Sequence, residues 1–218
     1  MYATKTAVLL LLAVISSNAE PTAEECETLG KRLPSKDLQK IYGEWVLVWS
    51  VSDHDKGHDT LLNCSSSHVE FKLLDDKKTI EYIERNVYLG SLDSCTTYSS
   101  NLTTPTDETT EHHTLKCDVV RVEKDGAVQE YNDTGAVDFY QSCEDCLLMV
   151  YKTSTHRFLL SYKREGSHRD VEQMKTAHEG LKKLAECLKF PHDKPFAYDG
   201  LADFCHKKSA PAEAAAQS

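Results

Sequence analysis

Apolar positions along the chain fall into three regimes. Residues 7–15 (AVLLLLAVI) are continuously apolar. From Gly43 to Lys163 the dominant period is two, which predicts strands. From Asp170 to Lys189, Val171, Met174, His178, Leu181, Ala185 and Leu188 recur at three- and four-residue steps, opposite Glu172, Lys175, Glu179, Lys182, Lys183 and Glu186; this predicts an amphipathic helix. Ser167 and Asp170 resemble a capping box at its start.

The strand region divides at its turn signals. Residues 43–51 (GEWVLVWSV) are dense in β-branched and aromatic residues and predict the first strand. Residues 52–63 read as a polar loop, and 69–73 as a half-buried second strand ending at the turn Asp75-Asp76-Lys77-Lys78. Further strands are predicted at 79–89, 95–102, 114–123, 127–131, 136–141, 146–152 and 157–163. Lys124-Asp125-Gly126 is a hairpin signal, because both central residues of such a turn take positive φ and Asp-Gly tolerates that. About eight successive strands without intervening helices predict an all-β antiparallel barrel or sandwich. Ahead of them, residues 20–42 are polar with the anchors Leu29, Leu33, Leu38 and Ile41, and Pro34-Ser35 starts a short helical turn.

The 19-residue N-terminal segment has a basic residue (Lys5), an apolar run too short to span a bilayer, and Ser17-Asn18-Ala19 at a peptidase site, so it reads as a signal peptide cleaved after Ala19. The expected domain is 20–206, followed by a disordered tail at 207–218 that is rich in small residues. The net charge of −10 argues against nucleic acid and anionic membrane surfaces as partners. No internal apolar run approaches the ~20 residues of a membrane span.

Export makes disulfides the expected state of the eight cysteines, and three sequons, at Asn63, Asn101 and Asn132, are expected glycosylation sites. Cys143-Glu144-Asp145-Cys146 lies between strands rather than beside a βαβ unit, so a disulfide is the expected reading rather than thiol redox chemistry. The acidic, His-rich segment 53–59 departs from a calcium loop: Gly57 stands where an oxygen ligand is needed and Cys64 where the closing Glu belongs. Zinc between His54 and His58, or at His112-His113, is weaker than a solvated mouth loop, and no metal or cofactor is expected. No nucleophile elbow, P-loop or His-Glu-x-x-His motif is present.

Eight antiparallel strands followed by one helix, with Gly43-x-Trp45 opening the first strand and Arg164 following the last, resemble a lipocalin. The resemblance implies an eight-stranded up-and-down barrel with the helix packed outside. It also implies that Trp45 plugs the narrow end with Arg164 across its ring. The stretch from Tyr162 through Glu186-Cys187-Leu188 to Asp203-Phe204-Cys205 is most similar to orosomucoid (alpha-1-acid glycoprotein), and to a fish branch that includes tributyltin-binding and saxitoxin- and tetrodotoxin-binding proteins. From that likeness, Cys26 is expected to pair with Cys187 and Cys95 with Cys205. The pairing of Cys64, Cys117, Cys143 and Cys146 stays open.

The expected function is a secreted, monomeric carrier that holds a small lipophilic or amphipathic molecule (a drug, steroid, organotin or toxin) in the barrel without catalysis. Alternatives are a lipocalin-type enzyme using a free thiol and an acute-phase glycoprotein acting by its surface. Alternation from Trp45 places Leu47, Trp49 and Val51 inward, so ligand is expected to quench Trp49. The expected lining adds Phe71, Tyr82, Tyr88, Tyr98, Tyr140, Met149, Tyr151, Phe158 and Tyr162, with Gly43, Trp45 and Arg164 as structural residues.

Overall fold

The structure, a computed structural model, describes residues 20–105 and 110–205. The expected signal segment and tail lie outside the described residues. Helix α1 (Ala23–Leu29) opens with a capping box between Thr22 and Glu25, and a 3₁₀ turn (Ser35–Ile41) leads into β1 (Gly43–Ser52). Helix α2 (Asp55–Leu62) then precedes β2 (Cys64–Leu73), β3 (Thr79–Tyr88) and β4 (Ser91–Thr103). After these come β5 (Thr114–Cys117), β6 (Arg121–Lys124), β7 (Ala127–Gln129), β8 (Gly135–Tyr140), β9 (Cys146–Lys152) and β10 (Arg157–Arg164). Helix α3 (Val171–Cys187) and the short β11 (Phe196–Ala197) complete the fold.

The strands pair in the order β3-β2-β1-β10-β9-β8-β5-β4, and β4 pairs back onto β3, closing an eight-stranded antiparallel barrel. β5 and β6 both pair with β4, at Leu102–Thr103 and at Thr96–Ser99, so they act as one interrupted strand. Closure pairs both edges of the eight strands, and the short, exposed β7, bonded to β6 alone, keeps a free edge. The predicted hairpin turn is present: Asp125 and Gly126 have φ of 50° and 82°.

The narrow end is sealed as the resemblance implies. The Trp45 ring is buried, its Nε1 donates to the Ile41 carbonyl at 2.8 Å, and the Arg164 guanidinium carbon lies 4.1 Å from its centroid. Gly43 has φ of 111°, a conformation that strains any other residue, and a Cβ there would come 3.0 Å from Arg164 Nη1, so the guanidinium would have to give way.

Disulfides join Cys26 to Cys187, Cys95 to Cys205 and Cys143 to Cys146. Cys64 and Cys117 are free and buried. The first bridge ties α1 to the end of α3; the second fastens the C-terminal segment to β4.

Three expectations are corrected. Residues 55–62 form helix α2 rather than a loop: Gly57 and Leu61 pack onto the barrel, and docking of that kind stabilises a helix too short to persist alone. Helix α3 is capped by Asp170, whose side chain accepts from Gln173 N, rather than by Ser167. The third correction concerns the first strand. Trp45 pairs with Arg164 and Leu47 with Tyr162, but Trp49 pairs with Ser161, so Val48 is a bulge that inverts the alternation. Trp49 and Val51 therefore face outward and pack with Leu181, Leu184 and Ala185 of α3 and with Leu148, Val150 and Leu159.

Candidate functional site

Above the Trp45 end the barrel encloses a cavity of about 590 Å³. Its walls are inward positions of the strands: Leu47 of β1, Tyr82, Glu84, Asn86 and Tyr88 of β3, Tyr98 and Leu102 of β4, Val137 of β8, Met149 and Tyr151 of β9, and Phe158 and Leu160 of β10. Helix α2 covers one side with Lys56, Gly57, Thr60 and Leu61. Its close approach requires Gly57, because a Cβ there would overlap the Ser52 side chain and come 2.9 Å from the Phe158 ring. His54, Thr155 and His156 complete that end.

Six of the ten residues expected to face ligand meet around this space: Tyr82, Tyr88, Tyr98, Met149, Tyr151 and Phe158. Four do not. Trp49 is turned outward by the bulge. Tyr140 shares the outer face with Asp138 and packs in the cluster beneath α3, with Arg32 5.7 Å from its ring. Phe71 and Tyr162 face inward but belong to the packed base. Phe71 stacks 5.1 Å from Tyr82 and 5.6 Å from Phe139, and Tyr162 is buried among the same core. With Trp49 outside and Trp45 below the cavity, tryptophan quenching is not the signal ligand should give.

Sequence reasoning missed the polar strip of β3. Glu84 and Asn86 fall between Tyr82 and Tyr88 at the same parity, so alternation alone placed them in the barrel. Tyr82 donates to Glu84 Oε2 at 2.5 Å, and Asn86 Nδ2 donates to Glu84 Oε1 at 2.7 Å. The Tyr88 and Tyr98 hydroxyls lie 3.2 Å apart. Burial raises Glu84 above the usual carboxylate range, although the hydrogen bonds from Tyr82 and Asn86 oppose the shift. Burial likewise raises Tyr82, Tyr88 and Tyr98, keeping the phenols neutral.

Both free thiols line the cavity. Burial, with Glu84 nearby, pushes Cys64 up to about 12, and burial also raises Cys117. Outside the cavity, Glu44, His68 and Glu165 bring three ligand-type atoms within 4.8 Å of one another, with His68 Nε2 3.0 Å from Glu165 Oε2. That group sits at outward positions of β1 and β2 and just after β10. Asn63, Asn101 and Asn132 are all exposed. Among the described residues, no helix is long and apolar enough to cross a membrane.

No protein-family model matches the chain. Two curated proteins of Takifugu pardalis, saxitoxin and tetrodotoxin-binding proteins 1 and 2, are each 45% identical to it over 202 residues, or 93% of this chain. The chain spans about half the length of these relatives. Among solved structures, rat epididymal lipocalin 12 superposes with a TM-score of 0.55 at 14% identity, covering 79% of this chain and 90% of that one. The siderocalin Ex-FABP superposes with a TM-score of 0.53 at 11% identity, covering 73% and 93%. The chain therefore has the lipocalin fold and is a homologue of the saxitoxin and tetrodotoxin-binding proteins.

Proposed function

We propose that the protein is a secreted carrier that holds one small lipophilic or amphipathic molecule inside its barrel, without catalysis. The observation that carries this reading is the 590 Å³ cavity, which lies within the range of roughly 300–1,000 Å³ typical of small-molecule sites. Its mixture of aliphatic walls and tyrosines suits a guest with an apolar body and a few polar groups. The printed names of the Takifugu pardalis relatives support a toxin or other xenobiotic among the guests; a drug or steroid fits the same space. Three disulfides support an oxidising, extracellular setting, and exposed Asn63, Asn101 and Asn132 are accessible for glycans. We take the carrier to act as a monomer.

The two cavity thiols favour one second reading, an enzyme with a cysteine nucleophile. A nucleophile needs the thiolate, and burial holds both groups in the thiol form at neutral pH, which supports the carrier instead. Titration with the neutral fluorophore N-phenyl-1-naphthylamine tests the proposal. The expected result is saturable, blue-shifted emission with one site per chain; absence of binding by the folded protein overturns it.

A further inference from the structure

The bridge Cys143–Cys146 differs from the other two in what it closes and where it lies. Its cysteines stand 3 residues apart, against 161 for Cys26–Cys187 and 110 for Cys95–Cys205. The stabilisation that a bridge gains by restricting the unfolded chain grows with loop length, so this one contributes least. The turn it spans is also held without it. Cys146 N donates to the Cys143 carbonyl at 3.0 Å, Ser142 Oγ donates to the Cys146 carbonyl at 2.7 Å, and β8 pairs with β9 from Tyr140–Leu148 onward. Opening the bridge leaves all of these bonds in place. Cys143 is exposed, whereas Cys146 and the four cysteines of the longer bridges are half-buried.

A buried cation lies against the same bridge. Lys163 of β10 is 9% exposed and sits beneath α3, where its Nζ donates to Gln173 Oε1 at 3.1 Å. Its other polar contact is Cys143 Sγ, at 3.8 Å. No Asp or Glu among the described residues ion-pairs with it. Around the turn, Glu144 and Asp145 are exposed, and Asp145 pairs with Arg164 Nε at 3.8 Å. His178 lines the groove beneath α3 together with both cysteines and Lys163, and burial holds its pKa below the usual imidazole range. A buried ammonium without an anion is costly. A thiolate on Cys143 is the anion that would complete the pair.

We propose that Cys143–Cys146 is a thiol–disulfide exchange site, opened by a small monothiol through a mixed disulfide on Cys143, with Lys163 holding the Cys143 thiolate that exchange releases. The thiolate of the small thiol attacks Cys143 Sγ. A new S–S bond forms there as the Cys143–Cys146 bond breaks, and the electron pair leaves on Cys146, which takes up the proton the incoming thiol gave up. A second small thiolate attacks the outer sulfur of the mixed disulfide. The small-molecule disulfide departs, and the electron pair stays on Cys143, against Lys163. Two small thiols are oxidised, and the bridge is reduced by two electrons. An adjacent ammonium favours the thiolate, and a stabilised thiolate draws a Cys-x-x-Cys pair toward its open form. The site is separate from the barrel cavity and does not depend on what the barrel holds.

Treatment of the full chain with reduced glutathione in the absence of denaturant, followed by alkylation and peptide mass spectrometry, tests this. Cys143–Cys146 is expected to open at least about tenfold faster than either long bridge, with the glutathione adduct on Cys143. A bridge that stays closed, or three bridges opening at one rate, overturns the exchange site; an adduct on Cys146 alone overturns the assignment of the attacked sulfur. In a glutathione redox buffer, Lys163→Met is expected to shift the equilibrium about tenfold toward the closed bridge, and Lys163→Arg to restore most of the open form. An unchanged equilibrium in folded Lys163→Met overturns the part given to Lys163. Should Lys163→Met fail to fold, the opened wild type decides: the pH profile of iodoacetamide alkylation is expected to place the Cys143 midpoint below that of Cys146. Equal midpoints overturn the part given to Lys163.

Discussion

Arg164 lies across the indole of Trp45, its guanidinium carbon 4.1 Å from the ring centroid, and so fastens the end of β10 to the start of β1. The same guanidinium donates to the Tyr42 carbonyl at 3.3 Å, holding the segment that enters β1. Replacing Arg164 with Met keeps the apolar stem and removes the charge. The expected loss is about 1–2 kcal/mol, read as a Tm lower by roughly 2–8 °C. An unchanged Tm would show that the ring contact does not hold the barrel's closed end.

The two free thiols provide a second prediction. With Cys64 pushed up to about 12 and Cys117 also raised by burial, neither presents a thiolate near neutral pH. Native protein at pH 7.5 is expected to react with Ellman's reagent far more slowly than a free thiol. In denaturant without reductant, two thiols per chain should appear. Rapid reaction of the native protein would revive the nucleophile reading, and a denatured count other than two would contradict the pairing.

Much of the fold was legible in the sequence, because alternation over many short strands and a long helical stripe leave few architectures. The inward face of β1 was not. From Trp45 to Val51 every position but Ser50 is apolar, since the strand is buried by the core on one side and by α3 on the other, and alternation then carries no signal. A single bulge residue, Val48, turns Trp49 out unseen. Tyr140 was a different failure: Asp138 shares its face, and a charge ion-paired to Arg32 and Lys152 on the outside of the barrel marks that parity as outward. Helix α2 left no stripe because eight residues with two buried positions are too few to show one.

Glu84 sets a pH dependence of stability whose sign follows from its raised pKa. In the unfolded chain its carboxyl ionises near the ordinary value of about 4.3. Its favourable contribution is therefore complete below that value and is lost as pH rises through the higher folded value. Glu84→Gln removes the buried charge, so its Tm is expected to match wild type at pH 4 and exceed it at pH 8. A difference that does not change with pH would contradict the assignment.

The most direct test of the account asks where a guest sits. The chain has three methionines: Met149 lines the barrel cavity, Met174 lines a separate groove beneath α3, and Met1 lies outside the described residues. With ¹³C-labelled methionine methyl groups and bound N-phenyl-1-naphthylamine, the account predicts intermolecular NOEs from the naphthyl protons to the Met149 methyl and none to Met174. NOEs confined to Met174, or none to Met149 at saturation, would contradict a guest inside the barrel.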